Sequence, residues 1–137
     1  MRKVCLALLV AALVGGVARP ASAVLQFLQV FDKTYLAEHP NQEFAKEARG
    51  GKMRCLICHQ GKLRKNHNPY GLHLVELLDR KTDTKDVEKI KAALAKVGEM
   101  HSDPEDDTSP TYAEMIEAGT FPGGTLEEAS KEPPKAP

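Results

Sequence analysis

The sequence has no tryptophan, and aromatic residues fill only 5% of its 137 positions. A core with so few large side chains is thin, and a bound apolar group would help to fill it. An excess of one charge is also missing, since 19 Lys and Arg balance 19 Asp and Glu. That balance excludes a polybasic nucleic-acid tail and a wholly acidic disordered chain. No internal repeat, strand-like alternation or nucleotide-binding glycine pattern is visible. Gly50-Gly51 and Gly123-Gly124 are isolated pairs that read as helix stops or turns. No serine–histidine–acid arrangement follows from spacing. The length suits one domain and not comfortably two.

A long hydrophobic run is absent as well. Val4 to Val17 is an uncharged, mostly apolar stretch of 14 residues, and Arg19-Pro20 ends it short of the ~20 residues a spanning helix needs. Arg2 and Lys3 precede it and Ala21-Ser22-Ala23 follows as a small-x-small cleavage signal. Together these predict a secretory signal peptide over residues 1–23. An uncleaved N-terminal anchor is the alternative. Cleavage would leave 114 residues, with 16 basic and 19 acidic side chains and a net charge of −3. The expected location is the periplasm or the exterior, with no integral membrane span after cleavage. Cys5 would go with the leader, leaving Cys55 and Cys58 as the only cysteines. In an oxidising compartment such a pair is oxidised or occupied.

What remains predicts an all-α chain. Phe27, Val30, Phe31 and Tyr35 mark one face of a helix over Leu25–Leu36. Asn41 caps a short helix through Phe44 and Ala48 that Gly50-Gly51 ends. Asn68 and Pro69 read as N-cap and N1 of a helix with apolar Leu74, Val75, Leu77 and Leu78. Val87, Ile90, Leu94 and Val97 stripe a helix over Thr84–Val97. Ser109-Pro110 reads as the start of a last helix through Tyr112, Met115 and Ile116 to Gly119. The domain is expected over 24–124, with a disordered tail over 125–137, which carries one leucine and three prolines.

Cys55-Leu56-Ile57-Cys58-His59 is the one specific motif. Two thiols three residues apart share one helical turn. They can add to the two vinyl groups of a haem, and the adjacent His59 then meets the iron as proximal ligand. The rivals are a thioredoxin-like dithiol, which needs a βαβ context, a structural zinc site, which needs a fourth ligand, and a short, strained disulfide. His67 as a zinc ligand would give awkward adjacent ligands.

The chain resembles the small exported bacterial monohaem cytochromes c. The likeness rests on Cys55-Leu56-Ile57-Cys58-His59, Gly61-Lys62, Asn68-Pro69-Tyr70-Gly71 and the helix–loop–helix to Gly119, over roughly residues 30–122. It implies a cytochrome c-like helical domain wrapped on one covalent haem c, with thioethers from Cys55 and Cys58, iron held by His59, and electron transfer as the role. In similar cytochromes a methionine between the last two helices is the distal ligand, and Met100 stands there. The family's methionine lies in a proline-containing loop, whereas Met100 follows directly on a helix. His101 is the alternative ligand, and another side chain or a vacant position also stays open.

Two functions follow. A carrier of single electrons, not an enzyme, uses two fixed axial ligands. A haem peroxidase or gas-binding sensor needs an open distal site, with His101 or His67 as a proton relay. A haem-stabilised subunit of a larger complex is a third. Lys46, Arg49, Lys52, Arg54, Lys62, Arg64 and Lys65 face only Glu47 between positions 46 and 65. That basic collar is expected to steer redox protein partners with an acidic docking face, and no nucleic acid.

Overall fold

A computed structural model describes residues 22–134. The predicted leader falls outside the described residues, except that Ser22 and Ala23 open the first helix. Regular structure among the described residues is entirely helical. Only two isolated bridges, His59–His67 and His101–Thr111, pair extended backbone. The all-α expectation holds.

Helix α1 (Ser22–Phe31) runs straight into one π-helical turn, Asp32–Leu36. Val30, Phe31 and Leu36 are buried, with Phe27 and Tyr35 packed at the core's edge. Helix α2 (Gln42–Arg49) starts where the Asn41 side chain accepts from the Phe44 N–H at 3.0 Å. It ends at Gly50, and Gly51 turns the chain with φ +53°. Its buried face is Phe44, Ala45 and Ala48. The four-residue α3 (Met53–Leu56) follows, packed against α2.

Helix α4 (Pro69–Leu77) has the expected Asn68 cap and Pro69 start. Its apolar face differs from the expected one. Leu78 is buried and Leu74 and Leu77 are half-buried, but Val75 is exposed. The inward row runs through Tyr70, Leu74 and Leu77, at spacings of four and three, and Val75 lies off it. A 3₁₀ turn (Asp83–Lys85) leads to α5 (Val87–Gly98), capped by Asp86 rather than starting at Thr84. Ile90, Leu94 and Val97 are buried, and Lys89, Lys91 and Lys96 stay outside. Helix α5 is central, packing on α1, α4 and α6.

Helix α6 (Tyr112–Glu117) is capped by Thr111, not by Ser109. Thr111 and Glu114 form a reciprocal capping box, which satisfies two N-terminal donors at once. Ser109 instead closes the acidic loop, its hydroxyl donating to the Asp106 carbonyl at 2.8 Å. Where a disordered tail is expected, the chain forms α7 (Leu126–Ser130), with a second capping box from Thr125 and Glu128. Ala129 is buried there, and α7 packs on α3. Among the described residues, no helix is long and apolar enough to cross a membrane.

Candidate functional site

Cys55 belongs to α3, and the turn continues through Cys58 and His59 by hydrogen bonds back to the Cys55 carbonyl, at 3.4 Å from Cys58 N–H and 3.0 Å from His59 N–H. Both cysteines are free thiols and half-buried. Burial, with Cys55 beside it, pushes the Cys58 thiol up to about 12. Cys58 is therefore a neutral thiol at physiological pH.

The His59 ring is oriented by backbone. Its Nδ1 lies 3.2 Å from the Asn66 carbonyl oxygen. A carbonyl has no proton, so Nδ1 donates, and the neutral ring keeps its free lone pair on Nε2. That is the tautomer a metal-ligating histidine needs. Burial and the neighbouring His67 ring, 4.7 Å away, lower the His59 pKa further toward the neutral form. His67 packs beside His59 through the bridge between their two segments.

Asn68 pins this turn from below. It is buried, and its side-chain NH₂ donates to the Leu56 and Ile57 carbonyls at 3.0 and 2.9 Å. Its Oδ1 accepts from the Gly71 N–H at 2.8 Å, and its own N–H donates to the Cys58 carbonyl at 3.2 Å. One side chain thus caps α4 and satisfies the end of α3. The close approach needs glycine at 71, because a Cβ there would stand 1.9 Å from the Cys58 carbonyl oxygen.

The expected distal candidates lie on the connection between α5 and α6. Met100 is fixed on both sides, its N–H donating to Val97 O and its carbonyl accepting from Tyr112 N–H, both at 3.0 Å. Its side chain packs at the edge of the core. His101 is exposed, and its Nδ1 donates to the Ser109 carbonyl. Of the two, Met100 faces the interior. Tyr112 meets Tyr70 edge to face, with ring centroids 5.2 Å apart. His39, just before the Asn41 cap, is buried. Its Nε2 donates to Ile116 O at 2.8 Å and its Nδ1 accepts from Asn41 N–H at 3.0 Å.

Several features fit a haem. No group of three His, Cys, Asp or Glu side chains among the described residues is arranged to hold a metal ion. A haem needs no such group, because it brings four equatorial nitrogens and takes from the chain only axial ligands and, here, two thiols. Val75 lies one turn beyond Gly71 on the same face of α4, and Val75 and Leu72 are 50% and 52% exposed. Apolar surface therefore stands uncovered on the side of α4 that meets Cys58. The Tyr70 hydroxyl, next to Gly71, is buried without a partner. Such orphan groups are rare in native proteins.

Spacing alone reveals the two thiols and His59. It reads Asn68 only as a cap, and it gives no sign of the roles of Asn66, Gly71 or Glu132, whose contacts are described below. No protein-family model matches the chain, and no curated protein or solved structure shows significant similarity to it.

Proposed function

We propose that this chain is an exported carrier of single electrons on one covalently bound haem c. Cys55 and Cys58 would hold the haem through two thioethers, and His59 Nε2 and Met100 would be the ligands to its iron. The observation that carries this reading is the Cys55–Cys58–His59 turn with His59 Nδ1 committed to the Asn66 carbonyl. The haem supplies a one-electron iron couple, tuned by its axial ligands. The chain's part is to hold two neutral ligands still. His59 is held by Asn66, and Met100 by Val97 and Tyr112. Little rearrangement then accompanies a change of charge.

The test is the holoprotein made in a host competent for cytochrome maturation. Its mass is expected to exceed that of the bare chain by one haem, with a pyridine haemochrome typical of two thioethers. A bare peptide mass overturns the reading. The oxidised protein is expected to show a far-red methionine–iron band that Met100→Ala abolishes. Carbon monoxide added to the reduced protein is expected to leave the spectrum unchanged. A rapid shift instead indicates an open site suited to peroxide or diatomic gases.

The collar is smaller than the sequence implies. Arg49 is paired with Asp32 at 2.6 Å and donates to the Leu36 carbonyl, and Arg54 is half-buried. Lys46, Lys52, Lys62, Arg64 and Lys65 remain exposed, the last three on the loop that follows His59. Neutralising Lys62, Arg64 and Lys65 together is expected to slow oxidation by ferricyanide, an anion, by about tenfold at low salt. Oxidation by a cationic cobalt complex should speed up. Equal rates for variant and wild type with both oxidants would remove the steering role.

A further inference from the structure

The residues that orient His59 are themselves held by a segment from the other end of the domain. The loop from Gln60 to Asn66 has few partners of its own. Gln60 N–H donates to Asn66 O at 3.1 Å, and Asn66 N–H to Leu63 O at 2.9 Å. Positions 62–65 are exposed. Three further bonds reach it from beyond α6. The Gly61 N–H donates to the Ala129 carbonyl at 2.8 Å. The Glu132 carboxylate accepts from the Lys62 N–H at 2.9 Å through one oxygen and from the Asn66 side-chain NH₂ at 3.2 Å through the other. One carboxylate therefore bridges the two ends of the loop. Gly61, with φ +72°, leaves it room, because a Cβ there would stand 2.6 Å from Glu132 Oε2. Ala129, 1% exposed, anchors the segment.

We propose that residues 126–132 are a clamp that fixes the plane of the His59 imidazole. Glu132 is the positioning residue, acting through Asn66, whose carbonyl holds His59 Nδ1. The inference rests on His59 being the proximal iron ligand. Second-shell partners of a metal-bound histidine set its ring orientation and basicity. Here the partner is a backbone carbonyl on an exposed loop, and a loop with so few contacts opens readily by itself. The clamp makes that carbonyl a fixed acceptor. Without it, the Nδ1–H is shared with water and the ring turns more freely about the iron–nitrogen axis.

The test compares the wild-type holoprotein with Glu132→Ala, and with Glu127→Ala as control. Glu127 lies on α7, in the same segment, and among the described residues pairs only with Lys131, at 3.4 Å. Glu132→Ala is a surface change, so folding is expected to survive. Amide exchange at Lys62 and Asn66 is expected to speed by about tenfold. The low-spin ferric resonance should broaden from a spread of ring orientations, and the balance between reduced and oxidised protein should move about threefold toward reduced as the Nδ1 bond weakens. Glu127→Ala should show none of these changes. If the wild type carries covalent haem and Glu132→Ala leaves resonance and potential unchanged, the clamp's role is overturned and the carrier reading stands. If the wild type carries no haem, the carrier reading fails and takes the iron-directed role with it. The nitrogen spectrum of His59 in the full chain then decides the clamp itself: an Nδ1–H tautomer lost in Glu132→Ala upholds it, and an unchanged tautomer overturns it.

Discussion

Asn68→Ala is expected to lower the unfolding free energy of the chain by about 3–7 kcal/mol, read as a shift of the denaturant midpoint at constant slope. Loss of the Oδ1 cap on Gly71 contributes roughly 1 kcal/mol. The larger part comes from the Leu56 and Ile57 carbonyls, which lose their bonds to the Asn68 NH₂. Each buried acceptor left without a donor costs about 1–3 kcal/mol. A small domain has only about 5–15 kcal/mol in hand, so the variant should be partly unfolded at mild temperatures. Asn68→Asp separates the two contributions. Its carboxylate still accepts from Gly71 N–H, yet it sets an anion against two carbonyl oxygens, so it should be at least as destabilising as alanine despite the retained cap. If Asn68→Asp were as stable as the wild type, the side chain would be a cap alone.

Gly71→Ala is expected to cost about 3 kcal/mol or more. The added Cβ would stand 1.9 Å from the Cys58 oxygen and 2.8 Å from its carbonyl carbon. Both are backbone atoms, so no rotamer change relieves the overlap. Helix α4 must retreat from the α3 turn, which stretches the Asn68 bonds at the same time. Gly51→Ala is the informative comparison. Its φ is +53° and nothing lies within 4 Å of a Cβ built there, so it should cost only the roughly 1–2 kcal/mol of a left-handed non-glycine residue. Thermal melts of the two variants side by side check the difference. Equal losses would mean that α4 and the cysteine turn are not in close register.

The parts of the fold that local chemistry determines were legible in the sequence. The stripes of α1 and α5 follow from three- and four-residue spacing, and Asn41 and Asn68 cap where a short polar side chain precedes an apolar periodicity. Two competing local signals account for the misplaced start of α6. Ser109-Pro110 resembles a cap and first helical residue, but Thr111 and Glu114 offer two reciprocal bonds instead of one. The same Thr-x-x-Glu pattern at Thr125 and Glu128 was in plain sight, and a composition poor in leucine and rich in proline masked it. Exposure of Val75 and burial of His39 were not readable. Burial of His39 depends on a partner far along the chain, Ile116, and the exposure of Val75 on which residues of α4 form the inward row. The site divides in the same way. Its donors lie within five residues, from Cys55 to His59, but what aims them comes from Asn66, Asn68, Gly71 and Glu132.

The bond between Glu132 and Asn66 spans 66 positions of sequence. Contacts this distant close late, after the entropy of the intervening loop has been lost. During folding the cysteine turn therefore passes through a stage in which its flanking loop is still loose. The loop that flanks His59 is thus among the last parts of the domain to settle, although the residues it orients are neighbours in sequence.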